Sequence, residues 1–237
     1  MPAVVFFLPV VGVVFAVAIL AFKAEQKRRA ELLNFALSKG WMFSPGDPLG
    51  LTNRWDGTPF GRGHARQVSN VVRGKERGRD LVSFDYRYTE SDTDSNGRRS
   101  SRTYRYHVTA VHLPAFLPTI EVSAENVLTR MGGALGMQDI ELESEDFNRR
   151  YRVRSDNTKF ACDVLTPRTM EYLLRGPATA WRTEGTDVLC WDTGRSSPLD
   201  ILRHVAMLTG IVDGIPAFVW KDHGHDPGLP QTGGGTS

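Results

Sequence analysis

Cysteine is nearly absent: Cys162 and Cys190 are the only two in 237 residues. That excludes a disulfide-dense secreted scaffold. Their apolar settings, Phe160-Ala161-Cys162 and Leu189-Cys190-Trp191, predict small buried thiols in a reducing compartment. Catalytic signatures are missing too, with no Walker glycine-lysine loop, GxSxG, HExxH or CxxC in the chain. This argues against an enzyme of the classes those motifs mark, and no cofactor is expected. Nor is there a large charge of one sign. The formal net charge is +2, which does not suit the broad basic face of a nucleic-acid-binding domain.

Charge is also absent from Met1 to Phe22, and here the absence is informative. The run from Val4 to Phe22 is apolar apart from Pro9 and Gly12. At about 1.5 Å per helical residue it extends roughly 28 Å, close to the hydrocarbon thickness of a bilayer. A secretory signal would carry a basic start, a shorter apolar stretch and a small-residue cleavage site, none of which stands here. Residues 1-22 are therefore expected to be a transmembrane anchor, with the lipid bilayer as its partner. Lys23, Lys27, Arg28 and Arg29 follow the run directly, and nothing basic but the terminal amine precedes it. The positive-inside rule then places the N-terminus outside and the rest in the cytoplasm, in a single-pass protein of the inner (plasma) membrane.

Residues 23-39 are rich in helix formers and read as a basic juxtamembrane helix, with Gly40 as its stop. Its cations either rest on anionic headgroups or only set topology. Beyond it, residues 40-133 read as a strand-rich α+β lobe, 134-227 as a second α+β lobe of similar size, and 228-237 as a disordered tail. The fold class is α+β, because strands and helices mix without regular βαβ alternation.

Two strands are expected at 65-72 and 81-88, joined by an eight-residue basic turn, with Phe84, Tyr86 and Tyr88 on one face and Ser83, Asp85 and Arg87 on the other. A polar loop, 90-101, leads to a further strand in which Tyr104, Tyr106 and Val108 alternate with Arg105, His107 and Thr109. Prolines at 114 and 118 should end it. Short strands are expected at 120-122, 139-142 and 151-154. A helix from 158 should restart at Pro167 with Thr166 as its cap. Strands at 181-183 and 188-191 are joined by a Gly-containing turn, and a helix follows over 198-212 with Leu199, Leu202, Val205, Ala206 and Leu208 as its apolar set.

Several clusters invite a chemical reading. From Arg54 to Arg105 there are twelve Lys or Arg against seven Asp or Glu, while from Glu121 to Asp146 seven acids face one base. The glycine-arginine turn at 73-80 is thus expected to be exposed or docked on that acidic segment, not to hold nucleic acid. Asp222-His223-Gly224-His225-Asp226 has metal-ligand residue types, but without a third histidine or helical spacing it reads as a polar exit from the fold. Glu145 and Asp146 precede Arg149 and Arg150 and suggest a salt-bridged turn.

The run ESEDFNRRYRVRSDNTKFACDVLTPRTMEYLL, residues 143 to 174, resembles a family of uncharacterised bacterial, mainly actinobacterial, membrane-anchored proteins. The single N-terminal span, the Gly40-Trp41 step and the ending Ile215-Pro216-Ala217-Phe218-Val219-Trp220 are similar too. The resemblance implies membrane anchorage and a shared domain and transfers no catalytic residue. The function expected is that of a membrane-anchored cytoplasmic interaction or scaffold protein with a protein partner. A small-ligand or lipid-headgroup domain is the alternative, and an enzyme stands third.

Overall fold

The computed structural model describes residues 3–93, 97–124 and 137–228, with side chains from Phe15 onward. Helix α1, Ala3–Ser38, is 36 residues long, or about 54 Å. It ends as its sequence suggests. Gly40 takes φ 68°, the Gly40 amide donates to the Leu37 carbonyl and the Trp41 amide to the Ala36 carbonyl. This is a Schellman stop, completed by Trp41 packing edge-on against Phe35 at 5.7 Å.

The strands are β1 Met42–Ser44, β2 His64–Glu76, β3 Arg79–Thr93, β4 Arg99–Leu117, β5 Ile120–Ala124, β6 Gln138–Ile140, β7 Tyr151–Ser155 and β8 Ala180–Thr193. They form one sheet in the order β1-β2-β3-β4-β8-β5-β7-β6, antiparallel throughout. The helices after α1 are α2 Glu145–Arg150, α3 Thr158–Val164, α4 Pro167–Arg175, α5 Pro198–Gly214 and α6 Ala217–Asp222. The α+β class holds. Strands from both expected lobes share this sheet, because β8 inserts between β4 and β5. The lobe boundary near Gly132 lies outside the described residues, as does most of the 228-237 tail.

The sheet is covered on both faces. Against one face, α1, α5 and the shorter helices bury Leu32, Ala36, Val111, Trp181, Ile201 and Leu208. Against the other, the segment between β1 and β2 lays Leu51, Trp55 and Phe60 over Phe84, Tyr86, Val108 and Trp191. Trp55 stacks on Phe84 at 5.8 Å. Double coverage explains why Ser83, Asp85, His107 and Thr109 are buried although they lie on the polar side of their strands.

Several boundaries differ from expectation for identifiable reasons. The connection between β2 and β3 shrinks to Arg77-Gly78, since Glu76 pairs with Arg79 and both turn residues take positive φ, as a two-residue hairpin requires. The 90-101 loop is mostly strand, in register from Glu90↔Arg102 to Thr93↔Arg99. β4 runs through Pro114, with its register to β8 shifting between His112 and Leu117. β8 is one strand because Gly185, at φ 63°, absorbs an irregularity instead of a turn. Thr166 caps α4 from the expected place, accepting from the Thr169 amide with Pro167 in the first turn. Leu199, Leu202 and Ala206 are exposed, Leu199 at 76%, so they leave the apolar set of α5, which keeps Val205 and Leu208. Cys162 is exposed and only Cys190 is buried.

Among the described residues no helix is long and apolar enough to cross a membrane. The anchor expected at 1-22 lies largely among residues whose side chains are outside the description, and α1 does not by itself show a membrane crossing.

Candidate functional site

The four cations that follow the apolar run do not behave as one group. Lys23 is exposed, and Lys27 reaches Glu31 at 4.0 Å with both side chains largely in water, an arrangement of little energetic weight. Arg28 turns the other way, into the domain. Its guanidinium lies 2.6 Å from Asp85 of β3, donates to Glu25 at 3.0 Å and reaches the Ser196 carbonyl at 3.2 Å. Arg29 pairs with Glu25 at 3.3 Å. The basic flank thus has one member committed to holding α1 on the sheet.

Asp85 is the hub of this junction. Besides Arg28 it accepts from the amide and hydroxyl of Ser196, both at 2.8 Å, and from Asn70 Nδ2 at 2.9 Å. Asn70, held at φ 53°, gives the same nitrogen to Glu25 at 3.1 Å, which fixes its amide orientation because both neighbours accept. Burial pushes the Glu25 carboxyl up, but hydrogen bonds from Arg28 and Asn70 and the charges of Arg28 and Arg195 outweigh it and leave it below its usual range.

Outside this hub opens a cleft of about 280 Å³ lined by Glu25, Arg28, Arg29, Gln67, Arg87, Arg105 and Arg195, among others. Arg195 reaches Glu25 at 3.2 Å and Arg87 donates to Gln67 at 2.8 Å. Five guanidinium groups face two carboxylates, those of Glu25 and Asp85.

A second recess, about 660 Å³, lies beside the end of α1. Trp41, Leu51, Leu81 and Ala110 give it an apolar lining, and Asp187, His112 and Arg54 stand together in it. The buried Asp187 carboxylate receives Arg54 Nη2 at 2.9 Å and Trp55 Nε1 at 3.1 Å, and His112 Nδ1 is 3.2 Å away.

A third polar group is sealed under α5. His107 and His204 stack at 4.4 Å. Ser83 Oγ lies 2.8 Å from His107 Nε2 and 2.9 Å from Thr109 Oγ1, and His204 Nε2 is 3.0 Å from Asp192. Burial, then the charges of His204, Arg203 and Arg28, hold the His107 imidazole well below its ordinary pKa, so it is neutral. The chain of groups resembles a relay in composition, but full burial of both imidazoles denies it a substrate, and it acts as a polar core.

The other clusters singled out in sequence are structural. The turn at Arg77-Gly78 is exposed, and among the described residues Arg77 and Arg79 pair with Asp213 of α5 at 3.0 and 2.8 Å. Tyr86, Tyr88 and Tyr106 are buried and unavailable for stacking on bases. Among the described residues no group of metal-ligating side chains is assembled; His223 sits edge-on to Phe160 at 5.3 Å and His225 edge-on to Trp220 at 5.9 Å. Arg149 pairs with Glu145 and Asp146 at 3.5 and 3.2 Å, forming the salt-bridged turn.

Asp85, Arg87, Arg105 and Arg195 were not singled out in sequence. The available signal was an arginine on the polar side of each of the two strands that flank the 90-101 loop.

No protein-family model matches the chain, and no curated protein gives a significant match. Among solved structures, that of the mycobacterial trehalose monomycolate transport factor A, TtfA, is similar in fold, with a TM-score of 0.58 at 16% identity, covering 79% of this chain and 96% of that one.

Proposed function

We propose that the protein is a single-pass protein of the inner membrane, N-terminus outside, whose cytoplasmic α+β domain serves as an interaction or scaffold module held at the bilayer in one orientation. The observation that carries this reading is the division of α1. Phe15, Leu20 and Phe22 are 68%, 67% and 65% exposed, whereas Leu32 and Ala36 on the same helix are fully buried. An apolar helical stretch exposed to this degree needs an apolar partner, and it continues the uncharged run that begins at Met1. Hydrocarbon suits it. The buried half then makes the anchor part of the domain instead of a loose tether.

Two further points support the reading. The similar structure belongs to a protein named a transport factor, which agrees with a role as an interaction module. The resemblance of residues 143 to 174 to membrane-anchored bacterial proteins has the same sense.

The test is alkaline carbonate extraction of membranes from cells expressing the full chain, combined with protease accessibility of a C-terminal tag in inverted vesicles. The protein should stay in the pellet and lose the tag. Recovery as a freely soluble species would overturn the proposal. The second reading, a domain that binds a small ligand or lipid headgroup, is favoured by the arginine cleft at the same junction.

A further inference from the structure

Arg87 and Arg105 are direct cross-strand partners on the helix-facing side of the sheet. Like charges placed opposite each other destabilise a strand pair, and no carboxylate stands between these two. Among the described residues Arg87 has only the neutral Gln67 carbonyl oxygen for an acceptor. Among the described residues the Arg105 side chain has no hydrogen-bond or ion-pair partner.

The rest of the cleft is in the same condition. Asp85 is saturated by Arg28, Asn70 and Ser196. Glu25 is shared by Arg28, Arg29 and Arg195. Each guanidinium has five N–H donors in a planar fork, so among the described residues most of the donors on Arg29, Arg87, Arg105 and Arg195, all of which line the cleft, have no acceptor from the protein. Planar donor forks around a small recess match the tetrahedral oxygens of phosphate better than a single carboxylate.

Position narrows the source. Arg28 lies six residues beyond Phe22, about 9 Å along the helix axis. If the apolar run ends at the hydrocarbon boundary, the cleft opens at headgroup level.

We propose that this cleft binds a phosphate-bearing anion through Arg29, Arg87, Arg105 and Arg195, the anion being the headgroup of a membrane phospholipid or a free phosphate. The site deepens the headgroup-binding reading above. It gives the domain a second, polar hold on the bilayer beside its apolar helix, and it relieves the repulsion between Arg87 and Arg105.

The experiment uses the full chain in an uncharged detergent. Native mass spectrometry compares retention of phosphatidylglycerol and phosphatidylcholine, and thermal melting is followed with added inorganic phosphate. Wild type should retain phosphatidylglycerol about tenfold more strongly than phosphatidylcholine, and the Arg87→Ala/Arg105→Ala double variant should lose that preference about tenfold. Arg87→Lys/Arg105→Lys should keep part of it. A melting shift with inorganic phosphate and no preference between the lipids would support the phosphate site and assign it to a soluble ligand. Equal retention of both lipids together with no phosphate response would overturn the proposal, as would an acidic protein whose crosslinking depends on these arginines while phosphate binding does not. Both arginines are exposed, so the double variant should melt no lower than wild type. Release of the protein by carbonate would sink the anchor reading while leaving the phosphate measurement standing.

Discussion

The Arg28 guanidinium lies 2.6 Å from the Asp85 carboxylate, tying α1 to the third strand of an eight-stranded sheet. Their side chains are only 17% and 12% exposed, so removing one leaves the other short of its opposite charge in a mostly buried site. Asp85→Ala should cost about 2–4 kcal/mol, near the lower part of the range for broken buried pairs. It also removes the acceptor for Asn70 and Ser196. Arg28→Ala should cost less, because Asp85 keeps those donors. Chemical denaturation of the two variants measures the order; equal losses would show that the ion pair alone matters.

Leu32 and Ala36 have no exposed surface although they belong to the stretch that reads in sequence as a basic stalk. A chain starting at Lys39 therefore removes core, while one starting at Lys23 keeps Leu32 and Ala36. Losing Leu32 alone is on the scale of a leucine-to-alanine core substitution, about 2–5 kcal/mol. The shorter chain should melt at least about 10 °C lower or lose its cooperative transition, whereas the chain from Lys23 should melt like the full protein in detergent. Differential scanning calorimetry of the two separates these outcomes.

Local signals were legible where one residue type solves one backbone problem. Gly40 ends α1, Thr166 and Pro167 start α4, and the Phe84, Tyr86, Tyr88 alternation faces a core. What could not be read was the second cover over the sheet. Asp85 and His107 look like solvent-facing residues of half-buried strands until α1 and α5 close over them, and the covering part of α1 reads in sequence as a juxtamembrane helix whose cations rest on headgroups or only set topology. Nor does local pattern show β8 threading between β4 and β5, because that pairing joins segments far apart in the chain. The cleft followed the same logic: Arg87 and Arg105 were visible as residues, but their opposition depends on register.

Gly74 of β2 lies under the indole of Trp41. A Cβ there would meet Trp41 Cδ1 at 2.2 Å, while Trp41 Nε1 donates to the neighbouring Lys75 carbonyl at 3.1 Å. Gly74→Ala should destabilise by about 1–3 kcal/mol, as overpacking does. In the background of Trp41→Ala the same change should cost much less. A double-mutant cycle tests this directly; additive losses would mean that the ring and the glycine do not share their space.

His107 predicts a dependence on acid. Its imidazole is 2% exposed and its pKa is held well below the ordinary value by burial and by the charges of His204, Arg203 and Arg28. Nδ1 has no partner among the described residues, so in the neutral ring the proton belongs on Nε2, where Ser83 Oγ accepts it at 2.8 Å. Asp192 is the nearby acid, paired with His204 and Arg203, and the buried Cys190 thiol is pushed up by burial and stays protonated. A depressed histidine pKa means that below about pH 6.5 the unfolded chain binds a proton that the folded chain refuses. The stabilisation is therefore complete above that pH and is lost as pH falls toward the folded pKa, at up to about 1.4 kcal/mol per pH unit for this one group. Urea titrations from pH 7.5 to 5 should show that slope in wild type and a flatter one in His107→Gln. An unchanged slope in the variant would assign the acid sensitivity to other groups and leave His107 protonated without cost.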